Sequence, residues 1–217
     1  MPKLPLNSRL IEGIVTTIAD ADPFAPASRA ALSSAQLALV NIAPMGPIVD
    51  AAFETLLFRP FTSSTTYRNL KATGQGVFHV TDDALLIARA AIGKVNAAGD
   101  EAGVMVKRAE KVIGVVLAGA CRAHEFIVTK LDDSQERTHI EAKMVHVTRH
   151  REFLGFNRAK HAVLEAAILA TRLQLTGTAP VLAEFAKLQV IVDKTGAEDE
   201  HQAMKELRAF VESSVSK

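Results

Sequence analysis

The chain has 217 residues, with 25 Lys and Arg against 24 Asp and Glu, a formal net charge of +1 and a hydrophobic share of 48%. A nucleic-acid binder usually shows a basic face, and a chain with no Trp and a single Tyr has few rings to stack on single-stranded bases. The apolar content suffices for a core without disulfides, and Cys121 alone closes no intrachain bridge, so a reducing, cytoplasmic setting is expected.

This length fits one domain with an appendage or two small domains. Met1 to Leu10 is broken by Pro2 and Pro5 and lacks a long apolar core, so no secretory signal is expected. Every apolar run is too short or too interrupted to span a bilayer.

In chain order, Ile11 to Ile18 is β-branched and apolar and reads as a buried strand. Asp20 to Ser34 is rich in Pro, Ala, Ser and Asp and reads as a loop, long for a connection inside a compact domain. Leu37 to Ala43 is a second expected strand, stopped at Pro44-Met45-Gly46-Pro47 by two residues without a ladder donor. Glu54 to Phe58 is a third, leading straight into Arg59. Ser64 to Ala72 reads as one or two helical turns with Gly74 as the stop, and Gln75 to Val80 as a strand. Thr81-Asp82-Asp83 is an N-cap sequence for a short helix from Ala84 to Ala91, and Val95 to Gly103 is irregular. Val112 to Leu117 is a candidate strand. Ala118 to Lys130 and Arg137 to Arg149 alternate around the turn chemistry of Asp132-Asp133-Ser134, which predicts a long antiparallel hairpin.

After Arg151 the texture becomes helical. Asn157 can cap a helix from Arg158 to Leu175, ended by Gly177 and Pro180. Pro180 to Asp193 and Glu198 to Ser213 follow as two more, the last amphipathic through Met204, Leu207, Phe210 and Val211. Strands first and helices last predict α+β organisation and not a parallel βαβ sheet. The division expected is residues 1–152 for the β-rich domain and 153–217 for the helical one.

The segment Phe58 to Asn69 has the composition of an anion site. Arg59 ends an apolar run, and Ser63, Ser64, Thr65 and Thr66 lead into the start of a helix. Hydroxyls and backbone N–H groups at a helix start donate to phosphate oxygens, the helix dipole favours the negative charge, and an arginine adds a charge-assisted bond. Asn69 lies one turn further on. No G-x-x-x-x-G-K motif is present, so this is not the usual triphosphate cradle. The plain alternative is an ordinary Ser/Thr N-cap beside an exposed arginine.

Three motifs then stand in order: Asn41-Ile-Ala-Pro-Met-Gly46, Arg59-Pro-Phe-Thr-Ser-Ser-Thr-Thr-Tyr-Arg-Asn69-Leu, and Val80-Thr-Asp-Asp83 after a strand. Together they resemble an uncharacterised family within the flavin-reductase-like, FMN-binding split-barrel proteins. Val15-Thr16-Thr17 is similar to that family's opening strand, and Phe156-Asn-Arg-Ala-Lys160 with its helix to the helical C-terminal part. The resemblance implies a Greek-key-like, mainly antiparallel split β-barrel with a C-terminal helical part. It also implies a homodimer with one FMN per subunit near the interface. In that setting Arg59, Ser63, Ser64, Thr65, Thr66 and Asn69 face the phosphate and ribityl chain. Pro44, Met45 and Gly46 line the ring: Met45 offers a polarizable thioether and Gly46 a close backbone approach. Read without the family, Pro44 to Gly46 is a strand-ending turn with a core methionine. The loop Asp20 to Gln36 is longer than a simple hairpin connection, enough to cover or reshape the flavin mouth.

The resemblance carries no settled reaction. A flavin-dependent oxidoreductase of open substrate stands beside a non-catalytic flavin carrier or redox sensor, and beside a phosphorylated-metabolite binder without flavin. No nucleophile–base–acid set and no G-x-S-x-G is present, so any catalysis falls to the flavin. The seven histidines show no metal spacing. His146 and His150 would lie about 13 Å apart along a strand. His124 and His139 approach only if the hairpin register allows it. The stripe Arg158, His161, Glu165 and Arg172 on the first C-terminal helix reads as solvated, and Cys121 as a small core residue.

Overall fold

The computed structural model describes residues 8–20, 32–97 and 104–214. Most of the long loop after the first predicted strand, and part of the irregular stretch before Gly103, lie outside the described residues. The chain divides into two compact units, one of residues up to Thr81 plus Asn96–Glu152, the other of Asp82–Val95 plus residues from Phe153 on.

The first unit is a curled antiparallel sheet of β1 (Arg9–Leu10), β2 (Gly13–Ile18), β3 (Val40–Met45), β4 (Ile48–Val49), β5 (Thr55–Phe58), β6 (Gln75–Val80), β9 (Arg122–Asp132) and β10 (His139–Arg149). The strand order is β1-β4-β5-β10-β9-β6-β2-β3. With the helices that follow in the chain, this is the α+β split-barrel architecture. Period-two alternation sends the side chains of the strands to two faces of the sheet. One carries Val15, Leu56, Phe58, Phe78, Phe126 and Ile140, closed by Tyr67 and Leu70 of helix α2 (Thr65–Thr73). The other is covered by a small ribbon of β7 (Val106–Arg108) and β8 (Val115–Leu117), through Val77, Val112, Val116 and Ala123.

Four sheet side chains clasp that ribbon. Glu125 accepts the backbone N–H groups of Glu110, Lys111 and Val112 at 2.6–3.0 Å. Gln75 Oε1 accepts the Ile113 N–H at 2.9 Å, His79 Nε2 the Leu117 N–H at 3.0 Å, and Thr16 Oγ1 donates to the Val115 carbonyl at 2.6 Å.

Two expected boundaries shift. Leu37 and Ala38 belong to a short helix, α1 (Ser34–Ala38), closed by a Ser33–Gln36 capping box. The second strand starts at Val40 and runs through Pro44 to Met45. Proline is tolerated there because β3 is an edge strand, bonded only to β2.

The second unit contains α3 (Ala84–Ala91), α4 (Arg158–Thr171), α5 (Leu173–Thr176), α6 (Thr178–Thr195) and α7 (Glu198–Ser213). The helix expected to reach Leu175 breaks at Arg172, which ends α4 and precedes α5. Asp83 and Asn157 cap α3 and α4 through their side-chain oxygens. Ala159, Ala162, Ala166, Ala167 and Ala170 give α4 a small-residue face that lets α3, α6 and α7 pack around it. Arg89 forks onto Glu206 at 2.8–3.2 Å, and Lys160 reaches the buried Glu200 at 2.9 Å. Burial works against ionisation of Glu200, yet the Lys160 ammonium and the Ala197 N–H hold its carboxyl below the usual range. The expected division at 152/153 leaves residues 82–95 with the strands, whereas α3 packs on α4 and α7.

Candidate functional site

The candidate site is built on the chain that leaves β5 and enters α2. Ser64 is the N-cap of α2: its hydroxyl accepts the Tyr67 N–H at 3.2 Å and donates to the Phe61 carbonyl at 2.8 Å. Gly74, at φ +66°, closes the other end in the left-handed conformation that suits glycine. The Ser64 hydroxyl is thus committed to the helix start. The backbone N–H groups of Ser63, Thr65 and Thr66 donate to no described residue. These are orphan donors of a helix N-terminus, where the dipole favours an anion.

Arg59, half-buried, presents a guanidinium with no hydrogen bond or ion pair to a described residue; only its carbonyl is engaged, by Arg137. Arg68 was not singled out from the sequence. It donates from Nη1 to the Ser63 carbonyl at 2.6 Å and from Nη2 to Thr65 Oγ1 at 2.9 Å, so a second cation braces the outer side of the helix start. Its place one turn after Thr65 was the available signal.

Beneath the helix lies a polar cluster inside an otherwise apolar face. Asn41 Nδ2 donates to Thr66 Oγ1 at 3.1 Å and Thr17 Oγ1 at 3.3 Å, and Asn69 Nδ2 donates to Thr17 Oγ1 at 3.1 Å. Thr66, Asn69 and Thr17 are buried. These three bonds leave the two amide oxygens and the two hydroxyl protons without a partner among the described residues. The structure thus brings Asn69 together with Thr17 and the Asn41 side chain, which sequence spacing did not join. A hydroxyl on the Val15 face of β2 was the visible clue.

Pro44 and Met45 stand elsewhere on β3, and Gly46 directly follows that strand. Asn41 pairs with Thr17, whereas Pro44 pairs with Ile14 and Met45 with Gly13, so Met45 is about 13 Å along the strand from Asn41. Met45 packs partly on the core. A Cβ at Gly46 would lie 2.7 Å from Leu10 Cδ2 and Glu12 Oε2, so its missing side chain makes room for this chain's own residues.

Other candidates resolve plainly. Arg158, His161, Glu165 and Arg172 are exposed. Cys121 is buried and unbridged. The hairpin register pairs His124 with Val147 and His139 with Asp132, at opposite ends of the ladder. Among the described residues no group of three or more His, Cys, Asp or Glu could hold a metal ion, and no helix is long and apolar enough to cross a membrane.

The family model described as protein of unknown function (DUF447), N-terminal domain, matches residues 32–151, and the DUF447 model for the C-terminal part matches 157–209. The chain belongs to the DUF447 family. The DUF447 chain is similar over 93% of its length to the FMN-bound protein MM1853 from Methanosarcina mazei, itself a DUF447 protein, of which 94% is covered, at 22% identity and a TM-score of 0.72. It is more distantly similar to the flavin reductase HpaC complexed with NADP+ (14% identity, TM-score 0.47, 68% of this chain and 82% of that one). It is also distantly similar to nitrilotriacetate monooxygenase component B from Bacillus cereus (15% identity, TM-score 0.45, 67% and 72%). No curated protein matches the DUF447 chain in sequence. The first similarity fits the fold described above, a flavin-reductase-like split barrel with C-terminal helices.

Proposed function

We propose that this chain binds FMN with the terminal phosphate at the N-terminus of α2. One observation carries the reading: the N–H groups of Ser63, Thr65 and Thr66, unpaired among the described residues, share a short loop and helix start with the Arg59 guanidinium, which is likewise unpaired among the described residues. That donor set suits a dianion, which draws on fixed dipoles and one full charge. Ser64 acts through the cap that shapes the loop. Asn41, Thr17, Thr66 and Asn69 offer hydroxyl and amide groups to a polyol chain, and Pro44 and Met45 are the apolar wall proposed for the ring, next to Gly46, whose side-chain space Leu10 and Glu12 occupy. An FMN-bound relative of the same family supports the choice of cofactor. When bound, the flavin supplies a reversible redox centre, while the protein binds and orients it. The homodimer implied by the family resemblance and a cytoplasmic setting belong to the proposal; a monomer in light scattering removes the first.

Titration by flavin fluorescence tests the assignment. The wild-type chain binds FMN, and Arg59→Ala weakens it by at least about tenfold, since a hydrogen bond to a charged group is worth about 1.5–3 kcal/mol. Unchanged affinity in Arg59→Ala removes the phosphate assignment. Anaerobic addition of NADH or NADPH then bears on the use: bleaching of the bound flavin favours an oxidoreductase over a carrier.

A further inference from the structure

The loop before α2 is held by the tip of the β9–β10 hairpin. Thr138 reaches the Pro60 carbonyl twice, from its backbone N–H at 3.0 Å and its hydroxyl at 2.8 Å. The Thr62 N–H donates to the Glu136 carbonyl at 2.9 Å, and Arg137 Nε donates to the Arg59 carbonyl at 3.3 Å. Phe61 and Arg137 form a β-bridge, with the guanidinium 5.4 Å from the ring centre. The same tip takes hold again on α2 itself. Tyr67 OH donates to Asp133 Oδ2 at 2.6 Å, and Lys71 Nζ donates to that oxygen at 2.6 Å and to Tyr67 OH at 3.1 Å. Thr138 has no exposed surface, so its hydroxyl has no water to turn to if the Pro60 carbonyl shifts.

We infer that Thr138 and Asp133 are positioning residues for the anion site, acting through Pro60 and Tyr67 on where Arg59 and the amides of Ser63, Thr65 and Thr66 point. Neither is part of the donor set. An anion site gains affinity from donors fixed before the ligand arrives, because a mobile loop loses binding free energy to ordering. The hairpin tip supplies that fixation from outside the loop's own sequence. The inference rests on the FMN reading above.

Riboflavin carries the ring and ribityl chain of FMN but no phosphate, so titration of the full-length chain with both ligands tests the inference. The double variant Thr138→Val with Asp133→Ala is expected to weaken FMN at least about tenfold while riboflavin affinity stays within about twofold, a loss of phosphate selectivity that mere destabilisation would not produce. Thr138→Ser, which keeps the hydroxyl, retains wild-type selectivity. The single variant Asp133→Ala, at a half-buried position, guards against misfolding of the fully buried one and is expected to lose part of the selectivity by itself. If the wild-type chain prefers FMN over riboflavin and the variants keep that preference, the positioning role is overturned while the FMN reading stands. If the wild-type chain shows no such preference, both fall.

Discussion

His79 has no exposed surface, and its bonding settles its tautomer. Nε2 accepts the Leu117 N–H, so the proton sits on Nδ1, which donates to the Ile14 carbonyl at 3.2 Å. A second proton would set two donors against each other in a dry place. Burial drives the ring's pKa down to about 3; the Ile14 carbonyl opposes this, and His124 and His150 add to it. His124, pressed between Phe53 and Phe78, is pushed down to about 4, by burial first and Arg122 second. With the folded pKa values below the ordinary 6.5, stability is fully present above pH 6.5 and falls as pH drops from there toward 4 and then 3, because the unfolded chain takes up protons that the folded one refuses. Urea unfolding at stepped pH is expected to show a loss of about 1.4 kcal/mol per pH unit for each of the two rings across that window. His79→Gln should flatten the slope by one ring's share; parallel slopes in variant and wild type would show that His79 is not the group responsible.

Among the elements, the β7–β8 ribbon shows where sequence reading stops. Val112 to Leu117 is apolar and was legible as a strand, of which only Val115 to Leu117 pairs; Val106 to Arg108 was not legible, since Lys107 and Arg108 give no apolar pattern. That ribbon is held by side chains from distant strands, above all Glu125, whose carboxylate gathers three amide donors. Glu125→Ala is expected to cost about 1–3 kcal/mol, since the buried Val112 donor is left unsatisfied. Amide hydrogen exchange should rise at Glu110, Lys111 and Val112 before it rises elsewhere; unchanged protection there would mean that the ribbon is held by its apolar contacts alone. By contrast α2 was legible almost to the residue, because Ser64 and Gly74 are local signals for its two ends. The loop from Arg59 to Ser64 was legible as the approach to a helix start for the same reason. The Thr17–Asn41–Asn69 cluster and the hairpin tip were not, because nothing in the sequence near Thr17 or Thr138 states what faces it across the fold.

At the scale of the whole molecule, β-rich chain followed by helices announced α+β organisation, and the motifs around Asn41 and Arg59 pointed to a split barrel. What local pattern did not show is that α3, between β6 and the ribbon, packs with the C-terminal helices. A chain ending at Glu152 would keep α3 and lose α4 and α7, exposing Ile87 and the small residues Ala84, Ala88 and Ala90. Such a truncation is expected to aggregate or to unfold at lower urea than the full chain, as size-exclusion chromatography and a urea titration would show; a monodisperse, equally stable fragment would mean that α3 needs no helical partners. The proposal that most depends on the whole arrangement is phosphate at the start of α2, and amide chemical shifts test it most directly. Adding FMN to the isotope-labelled chain is expected to move the Ser63, Thr65 and Thr66 amide signals strongly, in the direction of new hydrogen bonds to an anion, and riboflavin to leave them in place. Bound FMN with those three amides unmoved would contradict the proposal.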